Sequence, residues 1–315
     1  MSNETVRTFD YDDLLAVDNA TAIHQLINHY EHVGLQATAI GKARTLVQRM
    51  LYAREERESV FLSYTSNLIS CGLRDTFTYL AQHRLVHGVI SSAGGIEEDV
   101  IKCLGPTYLG RYDLDGVELR RQGVNRIGNL LVPNDNYCLF EDYFTPLLQA
   151  IHARQVETDW QECTSPSEII YEMGKALENQ ERKEESLVYW CYKNNIPVFC
   201  PALTDGSMGD MIFFYNFSKK GMIIDPIKDV AKLRSLKNDV NSAIVLGAGL
   251  PKHNLLANIA MDRVVMVTTG VEADGCTSSC TFEDDRMCGL LHPHTTCVRV
   301  QGDATVVFPL LAMKE

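Results

Sequence analysis

Long hydrophobic runs are missing from this sequence. No stretch approaches the roughly 18 consecutive apolar residues that a membrane-spanning helix needs, and residues 1–13 are polar and acidic rather than the apolar core of a secretory leader. A cytoplasmic protein with no membrane partner is therefore expected. Basic residues are scarce against acidic ones: 29 Lys and Arg face 41 Asp and Glu, a net charge of −12. Nucleic acid is thereby excluded as the main ligand, because neutralising phosphates takes Lys and Arg; a cationic ligand or a basic partner suits the balance better. A phosphate loop is also missing. Gly41-Lys42 lacks a glycine at the right distance upstream, and Ala43 stands where Ser or Thr should be. The ten cysteines lack the spacing of a metal site. Cys276 and Cys280 are suitably close, but Cys288 and Cys297 straggle among His292 and His294, so reduced thiols and no metal are expected.

What is present is an alternation of two rhythms. An N-terminal segment, 1–58, reads as helical: from Ala37 to Glu58 the apolar residues Ile40, Ala43, Leu46, Val47, Met50 and Leu51 recur at helical spacing. From residue 59 to 315, short apolar runs end in small or polar residues and lead into helix-like stretches. The runs are Ser59–Tyr64, Leu85–Ile90, Ile196–Cys200, Ala243–Leu246, Arg263–Val267 and Val298–Gln301. Six repeats of strand, small-residue turn and helix predict an α/β fold: a doubly wound, mostly parallel, Rossmann-like sheet with helices on both faces. The helical segment and the α/β domain are expected to form one compact unit. Residues 105–195 read as less regular, ordered insertions, and the charge run Glu178–Glu185 as a solvated face.

Ligands of such sheets bind beyond the carboxyl ends of the strands. The Gly-, Ser- and Thr-rich turns there bring backbone N–H groups toward a pyrophosphate, so a nucleotide site is expected. The orthodox dinucleotide fingerprint is absent, because Gly247-Ala248-Gly249 continues as Leu250-Pro251-Lys252 with no third glycine on schedule. The same turns carry Glu97, Glu98, Asp205, Asp210, Glu272, Asp274 and Asp303, with His253 just past the glycine turn. Any one of these acids could simply cap a helix. Together on one rim they suit ribose hydroxyls or the ammonium groups of a polyamine.

Several blocks resemble deoxyhypusine synthase: Phe61–Cys71, Ala93–Leu109, Asn125–Tyr137, Pro197–Phe214, which contains Leu203-Thr204-Asp205-Gly206, and Phe308-Pro309-Leu310. The resemblance runs from about residue 35 to about residue 312. It implies NAD as cofactor, spermidine as aminobutyl donor, an active-site lysine that carries the aminobutyl group as an imine, and a lysine of the hypusine-containing translation factor as acceptor. It also implies tetramers with sites between paired subunits. Carried over position by position, it assigns cofactor binding to Ser66, Asn67, Ser70, Ser91, Ser92, Ala93, Glu98, Asp205, Thr269, Gly270, Asp274, Asp303 and Ala304. In this chain Ser91 and Ser92 replace threonines, Gly270 an alanine and Ala248 a glycine. Asp210 and His253 match the ammonium-binding acid and the catalytic histidine.

Beyond Asp274 the resemblance breaks. Aligned without a gap, Cys276-Thr277 replaces a Ser-Asp pair, Asp284 the expected glutamate, Cys288 the tryptophan and Leu290 the nucleophilic lysine. No shift of register supplies a lysine, and an imine cannot form without an amine. The expectation is a chain with no catalytic residue of its own: a regulatory subunit that binds and activates a catalytic paralogue, as a heterotetramer, and lends it NAD- and spermidine-site residues, with His253 and Asp210 remnant or shared. The alternatives are an autonomous NAD-dependent polyamine oxidase and a plain NAD- or polyamine-binding sensor.

Overall fold

A computed structural model describes residues 17–219, 221–272 and 275–314. The part of the expected N-terminal helical segment before residue 17, and Asp274, lie outside the described residues. The chain begins with α1 (Asn19–His29) and α2 (Leu35–Tyr52). α2 buries Ala43, Leu46, Val47, Met50 and Leu51, the stripe that the spacing predicts. It ends at Tyr52 instead of running on to Glu58, because the charged residues 54–57 offer no apolar face. Glu58 opens β1 (Glu58–Tyr64), which is buried along its whole length. That buried carboxylate accepts from Arg263 at 2.8 Å and from the Ser242 hydroxyl at 2.5 Å.

There follow α3 (Asn67–Ser70), α4 (Leu73–Gln82), β2 (Gly88–Ile90) and α5 (Gly94–Leu104). Next come β3 (Tyr108–Leu109), α6 (Gly116–Arg121), β4 (Val124–Ile127), β5 (Leu130–Pro133), α7 (Asn134–Glu157), α8 (Pro166–Ala176) and α9 (Leu187–Lys193). The stretch 105–195 is thus more regular than its composition suggests. It holds a three-stranded antiparallel sheet, ordered β3-β5-β4, and the 24-residue α7, whose internal Pro146 and polar first turn hide it from a periodicity reading. The chain closes with β6 (Val198–Phe199), α10 (Ser207–Ser218), α11 (Pro226–Ser235), β7 (Val240–Leu246), α12 (Gly249–Asn258), β8 (Arg263–Thr268), α13 (Phe282–Met287), β9 (Thr296–Gln301) and α14 (Ala304–Ala312).

All six predicted strands exist, and they form one sheet in the order β6-β2-β1-β7-β8-β9. β2 pairs with β6, β7 with β8 and β8 with β9, each in parallel. Counted along the chain this is the 3-2-1-4-5-6 order of a doubly wound nucleotide-binding sheet, so the expected α/β fold class holds. By their contacts the described residues cluster into two units, 17–63 with those from 237 on, and 64–236, so the N-terminal helices cluster with the last three strands. Arg44 shows why. Fully buried on α2, it donates to the Asn28 side chain and to the carbonyls of Leu310 and Met313, and lies 2.7 Å from His24. Those contacts tie the first helices to the end of the chain. No helix among the described residues is long and apolar enough to cross a membrane.

Candidate functional site

The predicted site residues fall into two groups, one in each unit. In the unit of residues 64–236, Ser66, Asn67 and Ser70 stand at and within α3, and Ser91, Ser92 and Ala93 follow β2 directly. The two turns meet: a Cβ added at Gly94 would lie 3.0 Å from the Ser66 Cβ. Ser91 is buried, its hydroxyl donating to the Tyr64 carbonyl at 3.0 Å, and a Cβ at Gly95 would overlap that hydroxyl at 2.0 Å. Only glycine lets α5 start this close to the strand. The Tyr64 hydroxyl donates to the Gly95 carbonyl at 2.6 Å, and the Lys102 ammonium caps the end of α3 through the carbonyls of Ile69, Ser70 and Cys71.

The acids of this unit divide into distinct roles. Asp205 is exposed and accepts the Ala93 N–H at 3.1 Å, holding the turn after β6 against the start of α5. Glu97 is buried and accepts the N–H groups of Ser207 and Met208 at 3.0 and 2.8 Å, so it caps α10 from a neighbouring helix. Burial raises its pKa, against those two backbone bonds. Glu98 is also buried, and one of its oxygens accepts the Tyr137 hydroxyl at 2.8 Å. The other oxygen, Oε2, has no hydrogen-bond partner. Burial lifts this carboxyl above the usual range, with the Tyr137 bond opposing the shift. A buried oxygen left without a donor is unfavourable by about 1–3 kcal/mol, so Glu98 keeps acceptor capacity of the kind that a ribose hydroxyl would fill. The Ser91–Ala93 turn and the start of α5 lie one helical turn ahead of it, so the residues present fit a dinucleotide.

Tyr137 also lines a cavity of about 420 Å³ with Glu141, Ser207, Asp210, Phe214 and Tyr215. Two carboxylates among aromatic rings and hydroxyls, with Lys219 also on the wall, are a setting for a cationic group. Glu141 lies one helical turn beyond Tyr137 on α7 and was not singled out by the sequence reading; its i, i+4 spacing from a residue of a resembling block was the available signal. A larger cavity of about 650 Å³ in the same unit, lined by Arg154, Glu168, Glu172 and Lys228 among others, touches none of the predicted residues. Four of its charged side chains pair, Lys228 with Glu168 at 2.9 Å and Arg154 with Glu172 at 3.9 Å.

In the other unit, Thr269 and Gly270 form the turn after β8, exposed and half-buried respectively. The Gly270 N–H donates to the Thr268 hydroxyl, and its carbonyl accepts from Arg299 at 3.0 Å. Asp303 caps α14 by accepting the Thr305 N–H at 2.8 Å, and Ala304 is buried behind it. His253 is exposed on the first half of α12, next to the buried Lys252. α12 follows Ala248, which takes the backbone torsions φ 60°, ψ −130°. Leu290 sits after Gly289 (φ 75°), its N–H on the Asp285 carbonyl at 2.8 Å, and lines a cavity of about 440 Å³ with Arg286, Leu291 and His292. No amine stands at this position. The side chain of Lys252 is 1% exposed and is paired with Asp285 at 2.6 Å. No three His, Cys, Asp or Glu side chains among the described residues gather as metal ligands.

The deoxyhypusine synthase family model matches residues 25–315. An inactive deoxyhypusine synthase of Leishmania donovani is 58% identical, over 98% of this chain and 83% of its own length. A deoxyhypusine synthase regulatory subunit of Trypanosoma brucei brucei is 52% identical, over 99% of this chain and 94% of its own length. The crystal structure of an Entamoeba histolytica protein provisionally named a deoxyhypusine synthase superposes with a TM-score of 0.68 at 25% identity, covering 97% of this chain and 95% of that one. Leucine at position 290 and a close relative named inactive agree. The chain belongs to the deoxyhypusine synthase family, as a member that is not an enzyme on its own.

Proposed function

We propose that this chain is the regulatory subunit of a cytoplasmic deoxyhypusine synthase complex, a heterotetramer in which a lysine-bearing paralogue carries the aminobutyl group to the translation factor. One contrast carries the reading. The buried Glu98, with an oxygen still open to a donor, and the acid-lined cavity beside it keep the features of a working binding site, while position 290 has lost the only atom that could form the imine. A chain that had simply decayed would not be expected to keep a buried carboxylate whose desolvation is unfavourable.

NAD, when bound, supplies the capacity to accept and return a hydride. This chain's own residues do the rest. Glu98 takes a ribose hydroxyl. Asp205 fixes the Ala93 turn. Asp210 and Glu141 hold an ammonium group of spermidine in place, and Phe214 and Tyr215 shield it from water. A relative named a regulatory subunit supports the assignment of a partner. So does α10, whose Phe213 and Phe217 are 62% and 76% exposed among the described residues.

The test is reconstitution. The purified chain, a purified lysine-bearing paralogue and their mixture are assayed for aminobutyl transfer from spermidine to the translation factor. The chain alone is expected to be inactive, since loss of a covalent nucleophile lowers turnover by about a million-fold, and the mixture is expected to exceed the paralogue alone by tenfold or more. No gain on mixing rejects the proposal.

A further inference from the structure

The segment that should carry the catalytic lysine is ordered by a different lysine. Residues 276–291 hold themselves in place at several points: Thr281 and Asp284 form a capping box at the start of α13, the Thr268 hydroxyl donates to the Ser278 carbonyl at 3.0 Å, and Asp285 accepts the N–H groups of Leu290 and Leu291. At the centre, the Asp285 carboxylate, 4% exposed, lies 2.6 Å from the Lys252 ammonium, 1% exposed. The contact is close but not aligned as a hydrogen bond, so it is an electrostatic pairing of two buried charges. Lys252 does donate to the Thr277 carbonyl at 3.2 Å. Its ammonium therefore touches the segment twice.

The other end of this contact is the first turn of α12. That helix begins badly: Ala248, at its N-cap, has a positive φ of 60° and, as alanine, offers no side-chain acceptor to the free N–H groups. Lys252 is the fourth residue of the helix, and His253 follows it on the exposed side. Beside the buried Pro251, Leu255 and Leu256, the grip of Lys252 is a polar tie between the start of α12, where His253 stands, and the segment.

We propose that Lys252 and Asp285 are positioning residues, an internal clasp through which the chain's own ammonium holds residues 276–291 and the His253 turn in one arrangement. Here the buried acid serves a lysine of the same chain, so this unit presents a preset surface to its surroundings and its order does not depend on a bound polyamine. The consequence for activation rests on the regulatory reading above; the clasp itself does not.

Hydrogen–deuterium exchange on the full-length chain, with and without spermidine, tests the clasp, beside kinetics of the mixed complex. Lys252→Met and Asp285→Asn are each expected to speed exchange of residues 276–291 and 249–253 by about tenfold or more, while β7 and β8 keep their protection. Lys252→Met/Asp285→Leu, which removes both charges, is expected to return exchange to near the parent level, and spermidine is expected to change none of these rates in the parent chain. In the mixed complex the single variants are expected to lower kcat about tenfold with KM for spermidine within about twofold, and the double variant to recover. Unchanged exchange in both single variants overturns the clasp, as does loss of protection throughout the chain or protection of 276–291 that appears only with spermidine. If the parent chain fails to activate any paralogue, the regulatory reading falls, and the exchange experiment still decides the clasp.

Discussion

Ala248 occupies a backbone region that only glycine enters without strain: φ 60°, ψ −130°. Such a residue stores about 1–3 kcal/mol, while glycine in its place would return about 1 kcal/mol through the greater freedom of the unfolded chain. Ala248→Gly is therefore expected to raise stability by about 1 kcal/mol, visible as an increase in Tm; a decrease would show that the buried methyl group outweighs the torsion. Glu98 poses the opposite trade. Burial raises its pKa in the folded chain, so the folded state binds its proton more tightly than the unfolded chain does. Its contribution to stability is full below the unfolded value of about 4.3 and is lost as pH rises through the folded value. Glu98→Gln removes this term. It is expected to stabilise the chain at pH 7 by about 0.5–2 kcal/mol, with little gain at pH 4, and to weaken NAD binding at least about tenfold through loss of a charged acceptor. Thermal melts across pH, paired with calorimetric titration of NAD, check both halves. A stabilisation equal at both pH values would place its cause elsewhere.

At the scale of elements, the strands were legible and the helices of the insertion were not. β1, β7 and β8 read clearly because parallel strands covered on both faces become short continuous apolar runs bounded by small residues. β6 is only two residues long, and its run was still found from the turn that follows it. α7 escaped because a helix with Pro146 inside and exposed Glu141 and Asp142 on one side offers little periodic contrast. The roles of the acids were legible only in part. Spacing put Glu97, Glu98, Asp205 and Asp303 on strand-end turns, whereas Glu97 and Glu98 lie within α5, and it could not separate the exposed cap Asp303 from the buried acceptor Glu98, because that depends on what packs over each side chain. Long-range pairs were invisible for the same reason. Asp99, fully buried on α5, accepts from Arg74, from the Ser186 hydroxyl and from the N–H groups of Leu187 and Val188, joining α4, α5 and α9; nothing in the local pattern marks it. Leu290 was the reverse case. An absent amine is fully readable from the sequence, since no packing can restore it.

For the molecule as a whole, the question is where a partner would bind. α10 buries Met208 alone among its twelve residues, although its sequence is largely apolar. Its N-terminus is held by Glu97, and Asp210 on its first turn lines the cavity that also holds Glu141, so a partner covering Phe213 and Phe217 would sit beside the site that it is proposed to share. A stable hetero-oligomer of this kind buries upward of about 2,000 Å², and exposed aromatic side chains contribute most when they become the anchors of such an interface. Replacing both phenylalanines by serine should therefore separate folding from assembly. Because both rings are mostly in water already, Phe213→Ser/Phe217→Ser is expected to leave the chain's own unfolding within about 0.5 kcal/mol of the parent. Association with the lysine-bearing paralogue, read by sedimentation of the mixture, is expected to weaken by about 10–100-fold, and the activation curve to move to correspondingly higher concentrations of this chain while reaching the same plateau. Unaltered association would remove α10 from the interface. A lowered plateau at full association would instead assign the two rings to the shared site itself.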